Sequence, residues 1–263
     1  MKISNKKAGY ALVIWFFTKL GFLNASPLEM NRYELPKELQ AETSSLNSNY
    51  LIFDSKNIDS QSQKPLLIFL HGGGKGGNGD DILKFKNFGE SKIFGALKKP
   101  ILLLIPQALK KAKEGGKGVW RSADLNILLN HVKAKNPKID PKRIYLTGIS
   151  MGGYGTWMWS SANPEHFAAI IPICGGLGEK GPKHITKNIE LWKSKLVNLP
   201  IWAFHGEKDT VVPVNRTTDM IHSIRAKGSS VAKMSLFPDK GHNLGKDLYK
   251  TNGLIEWMLQ QSK

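Results

Sequence analysis

Ser150 lies in "YLTGISMGGYGTW", residues 145 to 157, between Gly148 and Gly152 with Gly153 behind. A serine hydroxyl attacks a carbonyl only when a base takes its proton and a third group holds that base. Two downstream segments offer those groups: "IWAFHGEKDTVVP", residues 201 to 213, carries Asp209, and "LFPDKGHNLGKDLY", residues 236 to 249, carries His242. A fourth segment, "PLLIFLHGGGKGGNGDD", residues 65 to 81, places His71-Gly72-Gly73-Gly74 at the end of an apolar run. Missing side chains there let backbone approach a substrate, so the N–H groups of Gly73 and Met151 are the expected donors to a developing oxyanion. Nucleophile, acid, base and oxyanion donors together point to acyl transfer.

The elements around these residues read as strands alternating with helices. Arg143 to Thr147 is a short β-branched and aromatic run, and Tyr154 to Ser161 is helix-compatible, so the glycines sit where a strand turns sharply into a helix. On such a turn the serine takes unusual backbone angles, and glycines either side let neighbouring chain pass without a Cβ clash. "PILLLIPQ" reads as a strand, "ADLNILLNHVKAKN" as a helix ended by Pro137, and "FAAIIPICGG" as another strand. Further on, "KNIELWKSKLV", "TTDMIHSIRAKG" and "NGLIEWMLQQ" read as helices. This rhythm predicts an α/β domain with a mostly parallel sheet covered on both faces. Residues 31 to 64 read as polar, with an early hairpin at "NYLIFDSKNID". Between the helix after Ser150 and Asp209 there is sequence for one strand and one helix, which leaves no room for a large lid domain.

The segments "LLIFLHGGGKGGNG", "LLLIPQ", "IDPKRIYLTGISMGGYGTWMWSSANPEHFAAIIPICGG", "HGEKDTVVPV" and "GHN" resemble the compact α/β-hydrolases. The similarity is to the carboxylesterase, phospholipase-like and polyhydroxyalkanoate-depolymerase-like group, which includes feruloyl and acetyl-xylan esterases and proteins described as predicted peptidases. It runs from about Tyr50 to the C-terminus. The resemblance implies the α/β-hydrolase fold, with Ser150 as nucleophile, Asp209 as acid and His242 as base, in that chain order. It also implies hydrolysis of carboxylic esters, such as acetyl or feruloyl groups on polysaccharide or small esters, without metal or organic cofactor. A serine rather than a cysteine nucleophile argues against the dienelactone-hydrolase variant. The twelve residues "ALKKAKEGGKGV" interrupt the pattern before Trp120 and leave the pocket shape open. Residues 108 to 118 read equally as a mobile flap and as a solvated insertion; Trp120 reads as a groove-lining residue or as a core one. A serine peptidase is the alternative within hydrolases, and an inactive carbohydrate- or protein-binding module the alternative outside them.

Other residues bound these readings. Asp239 and Asp247 flank His242 and compete with Asp209, which is preferred because it has its own strand-end loop. His71 and His205 read as structural hydrogen-bonders, and His131, His166, His184 and His222 lack spaced partners for zinc. Cys174 is the one cysteine, so no intramolecular disulfide forms, and its apolar setting predicts a buried thiol. The first residues, "MKISNKK" then "ALVIWFF", have the layout of a secretory signal peptide cut after Ala25, with residues 26 to 263 as one catalytic domain, secreted or periplasmic and without stable membrane insertion. Removing Lys2, Lys6, Lys7 and Lys19 takes the formal charge from +17 to +13. The lysines are scattered, with neither a nucleic-acid-binding module nor an aromatic-interleaved stripe, so nucleic acid is not an expected partner. Oligomeric state is not written in the chain.

Overall fold

The computed structural model describes residues 29–54, 63–85, 100–177, 189–244 and 248–263. Eight described strands form one sheet: β1 (Glu29–Glu34), β2 (Asn49–Asp54), β3 (Lys64–Leu70), β4 (Leu102–Ile105), β5 (Ile139–Ile149), β6 (Ala169–Ile173), β7 (Ile201–Gly206) and β8 (Ala232–Phe237). Their order is β1-β2-β4-β3-β5-β6-β7-β8. From β4 to β8 every pairing is parallel, while β1 and β2 add an antiparallel edge. This is the mostly parallel sheet the alternation predicts.

Parallel strands covered on both faces become continuous apolar runs, and β3 and β4 are buried at every position. Alternate residues then feed opposite layers. Leu66, Ile68 and Leu70 of β3 join a cluster with Leu125, Leu128, Trp157, Met220 and Ile224. Leu67 and Phe69 join another with Phe85, Phe204, Leu254 and Met258. The first layer is built by α2 (Ser122–Lys135), α3 (Met151–Ala162) and α5 (Asn215–Ala226); α6 (Leu254–Leu259) closes the second. Two shorter helices are α1 (Lys37–Glu42) and α4 (Ile189–Lys195). No described helix is long and apolar enough to cross a membrane.

The early hairpin differs from expectation. Asn49–Asp54 pairs backward with Glu29–Glu34, Tyr33 facing Tyr50, rather than forward within 49 to 59. Residues 55–62 lie outside the described residues. Among the described residues β1 has a neighbour on one side only, and its Arg32, Tyr33 and Glu34 are exposed and leave no apolar alternation to read. The signal-peptide residues, Asp247 and His184 also lie outside the described residues.

Strand order reverses at β3: β4 lies on one side and β5 on the other. Such a reversal opens a crevice at the carboxyl ends of the strands. Ser150 and the glycines after Leu70 both emerge there.

Candidate active site

Ser150 joins β5 to α3 with φ 57° and ψ −116°, one of two described non-glycine residues at positive φ. A conformation of this kind costs about 1–3 kcal/mol and persists only where its surroundings enforce it. Here Ser150 N–H donates to the Ile173 carbonyl at 2.9 Å, while its own carbonyl accepts from Tyr154 N–H at 2.9 Å. The flanking glycines are required by close approach. A Cβ on Gly152 would stand 1.9 Å from the Leu70 carbonyl oxygen, and one on Gly148 would stand 2.4 Å from the Gly152 oxygen. The start of α3 is thereby wedged against the end of β3, with the serine hydroxyl at the crevice.

Three residues from three loops meet at that point. His242 Nε2 lies 2.8 Å from Ser150 Oγ, and His242 Nδ1 lies 2.7 Å from Asp209 Oδ2. Asp209 Oδ1 accepts from the N–H groups of Val211 at 2.9 Å and Val212 at 2.8 Å. Its side chain is fully buried. Burial alone would raise its pKa, but the bonds from Val212 N–H and His242 outweigh it, and the carboxyl is held below its ordinary value. An ionised carboxylate only accepts, so the Nδ1 of His242 carries the proton and Nε2 turns a lone pair toward the serine hydroxyl. Chemically, that arrangement is suited to take a proton from the Ser150 hydroxyl.

The oxyanion side is built from backbone. Gly72 packs against Ser150, since a Cβ there would lie 3.5 Å from Ser150 Cβ. Among the described residues, the N–H groups of Gly73 and Met151 are committed to no protein acceptor. Met151 is the first residue of α3, where free N–H groups and the helix dipole favour negative charge. His71 fastens this loop: its Nδ1 donates to the Gly72 carbonyl at 2.8 Å and its Nε2 accepts from Ala108 N–H at 3.0 Å. Burial pushes the His71 pKa down to about 4, so the ring is neutral as that pairing demands.

Two alternatives that the sequence leaves open are narrowed here. Trp120, considered for the substrate groove, is 3% exposed, and its indole N–H donates to the His71 carbonyl at 3.0 Å. It supports the oxyanion loop from beneath because its large apolar ring fills the layer between Leu70 and α3. The stretch 108 to 118 is a tied hairpin rather than a loose flap. Lys111 bridges Lys117, Gly118 N–H donates to the Lys110 carbonyl, and the N–H groups of Leu109 and Lys113 donate to Ser45 and Ser44. Asp124, unremarked in the sequence, anchors those serines by accepting from Ser44 N–H at 3.0 Å and Ser45 N–H at 2.6 Å.

Asp239 is exposed and pairs with Lys208 at 3.0 Å, away from the imidazole contact that Asp209 makes. Cys174 ends β6 fully buried, and burial pushes its thiol up to about 12. Such a thiol is no nucleophile at neutral pH. The buried Cys174, His205 and Asp209 are the group of three whose atoms approach closely enough to suggest a metal among the described residues, all within 4.8 Å of one another. His205 is already bonded to Thr217 and Val212 and Asp209 to His242, so a metal would have to displace those hydrogen bonds. A recess of about 230 Å³ lined by Phe167, Lys195 and Lys263 lies by Ala168 and Pro200, where β6 and β7 begin, at the sheet edge opposite Ser150.

Comparison with known proteins places the chain in a family. The family model for the dienelactone hydrolase family matches residues 107–250, more than half of the chain. A Salmonella typhimurium protein provisionally named a carboxymethylenebutenolidase is 28% identical over 111 residues, covering 41% of this chain and 39% of that protein. A Bacillus subtilis protein described as an uncharacterized peptidase, YuxL, is 23% identical over 243 residues, covering 81% of this chain and 36% of its own. Among solved structures, a thermostable esterase superposes with a TM-score of 0.64 at 25% identity, covering 90% of this chain and 63% of that one. The match thus spans about two-fifths of the length of the first curated relative. The expectation against a dienelactone-hydrolase relationship is overturned by the match of that family across residues 107–250, with serine at the position of Ser150.

Proposed function

The chain belongs to the dienelactone hydrolase family, and from that premise we propose that it is a serine hydrolase cleaving carboxylic esters through Ser150, His242 and Asp209. The observation that carries this reading is the unbroken line from Ser150 Oγ to His242 Nε2 at 2.8 Å and from His242 Nδ1 to Asp209 Oδ2 at 2.7 Å. Ser150 Oγ attacks the ester carbonyl and passes its proton to His242 Nε2. Asp209 keeps the ring in the correct tautomer and stabilises its charged form. The carbonyl oxygen, now negative, receives the N–H groups of Gly73 and Met151, and the C–O bond to the alcohol breaks as His242 returns the proton to it. Water attacks the acyl-serine with His242 again as base, releasing the acid and regenerating Ser150.

The proposed substrates are short acyl esters, acetyl or feruloyl, on polysaccharide or small alcohols. Export belongs to the same reading through the basic and apolar layout of residues 1 to 25. A peptidase is the second reading, favoured by the similarity to the Bacillus subtilis protein across 81% of this chain.

The test compares the protein with Ser150→Ala on nitrophenyl acetate, a long-chain nitrophenyl ester, a feruloyl ester and an aminoacyl-anilide, with fluorophosphonate labelling read by intact mass. The expected result is turnover and labelling by the parent, a loss of about a thousandfold or more in the variant, and preference for short or feruloyl esters over the anilide. A parent that neither labels nor turns over any of these sinks the reading; faster anilide cleavage replaces it with the peptidase.

A further inference from the structure

Asp209 touches two histidines. Besides His242 on the solvent side, His205 at the end of β7 approaches the same oxygen, with Nε2 3.2 Å from Asp209 Oδ2. That nitrogen also lies 2.9 Å from the Val212 carbonyl. Both neighbours are acceptors, so Nε2 must carry a proton. On the far side Nδ1 lies 2.7 Å from Thr217 Oγ1 of α5, itself 3.2 Å from the Gly175 carbonyl. Burial pushes the His205 pKa down, so the ring is neutral and Nδ1 is an acceptor for the single Thr217 O–H, which it shares with the Gly175 carbonyl. The ring is wholly buried, unlike half-buried His242. The titratable groups that face it are Asp209 from its own loop, His242 from the loop after β8 and Cys174 from the end of β6; α5 presents neutral Thr217.

Resting on the serine-hydrolase reading above, we propose that His205 is a positioning residue for the reaction. Its Nε2–H holds Asp209 Oδ2 in line with His242 Nδ1 and withdraws part of the negative charge that Asp209 presents to His242. Asp209 Oδ1 is already occupied by Val211 and Val212 and the Cys174 thiol also touches the carboxylate, so His205 and His242 are the two imidazole donors that draw on Oδ2. Without the inner donor the carboxylate is free to swing, and its undivided charge binds protonated His242 more tightly. Two consequences follow: a lower kcat from the lost alignment, and an acid limb of kcat/KM moved to higher pH because the carboxylate's charge is no longer shared with an inner donor.

Two amides of similar size separate this role from simple core filling. In His205→Gln the side-chain nitrogen occupies the place of Nε2 and keeps the bond to Asp209. In His205→Asn it occupies the place of Nδ1, where it donates to Thr217 Oγ1 while the threonine O–H turns to the Gly175 carbonyl, and the donor to Asp209 is lost. Nitrophenyl acetate kinetics from pH 5 to 9 and thermal midpoints are measured for the parent, Ser150→Ala and both variants. The expected result is His205→Gln within about threefold of the parent in kcat, and His205→Asn about 10- to 100-fold lower with KM nearly unchanged. The acid limb of His205→Asn moves up by about half a pH unit, while that of His205→Gln stays. Equal kcat and equal acid limbs in the two variants, or equal losses that follow equal falls in midpoint, overturn the proposal. An inactive parent overturns the hydrolase reading itself, whereas an active parent with matched variants overturns only the role of His205.

Discussion

His71 and His205 occupy equivalent places, each at the end of a parallel strand, each followed by glycine, each buried with its pKa lowered by burial. Their partners differ. His71 spends both nitrogens on backbone, the Gly72 carbonyl and the Ala108 N–H, and so shapes the oxyanion loop. His205 spends one on Thr217 and turns the other to Asp209 and Val212. Stabilising a developing negative charge needs backbone amides held still, which a rigid neutral ring provides from behind. Holding a carboxylate at a fixed angle to a second imidazole needs a side-chain donor aimed at one oxygen. On the proposed mechanism the two sides of the crevice are expected to fail differently when disturbed: the oxyanion side first in stability, the acid side first in rate.

The sharpest way to break this contrast is Asp209→Asn, which keeps the shape of the acid side but lets His242 settle in the wrong tautomer. We expect kcat on nitrophenyl acetate to fall about ten-thousandfold, with the thermal midpoint moving far less than the rate. A midpoint collapse in proportion to the rate would erase the distinction.

On the oxyanion side the expected effect is on stability. His71 is neutral when folded and its pKa is about 4 there, against 6.5 ordinarily. Between those values the unfolded chain binds a proton that the folded chain refuses. The contribution is therefore complete above the unfolded value and is lost as pH falls toward 4, by on the order of 3 kcal/mol in all. Urea unfolding of the parent and His71→Asn at pH 7.0, 5.5 and 4.5 should show a steeper loss in the parent than in the variant. Parallel slopes would mean that His71 is protonated in the fold and the loop is held otherwise.

The smallest effect is expected from Asp239→Asn. Asp239 is exposed, and its pair with Lys208 is a surface contact, so kcat/KM should stay within about twofold of the parent. A loss approaching that of Asp209→Asn would transfer the acid role to Asp239 and undo the comparison.

Much of this arrangement could be read without coordinates. The run from Arg143 to Thr147 followed by Gly-x-Ser-x-Gly requires a strand, a sharp turn and a helix, and that is where Ser150 stands. Asp209 and His242 were legible as polar residues in loops after apolar strands. Trp120 was ambiguous because a large aromatic ring suits a groove and a core alike; its depth depends on α3 and Leu70, which pack over it. The hairpin 108–118 looked loose because lysine and glycine abound, while its ties run to Ser44 and Ser45, more than sixty residues earlier. Thr217 carries no local signal at all, being one hydroxyl on an amphipathic helix.

The order of serine, acid and histidine, the strand that precedes each, and the glycines at the elbow were determined by the chain alone, because backbone geometry and apolar periodicity are local properties. What each ring nitrogen touches was decided only in three dimensions. His242 meets Asp209 across 33 residues and Ser150 across 92, and the direction of a side chain at a strand end depends on the neighbouring strands. His205, four residues from Asp209, shows the same limit at short range. Its separation permits contact with the carboxylate, but the turn through Val211 and Val212, and Thr217 on α5 behind the ring, aim the imidazole there.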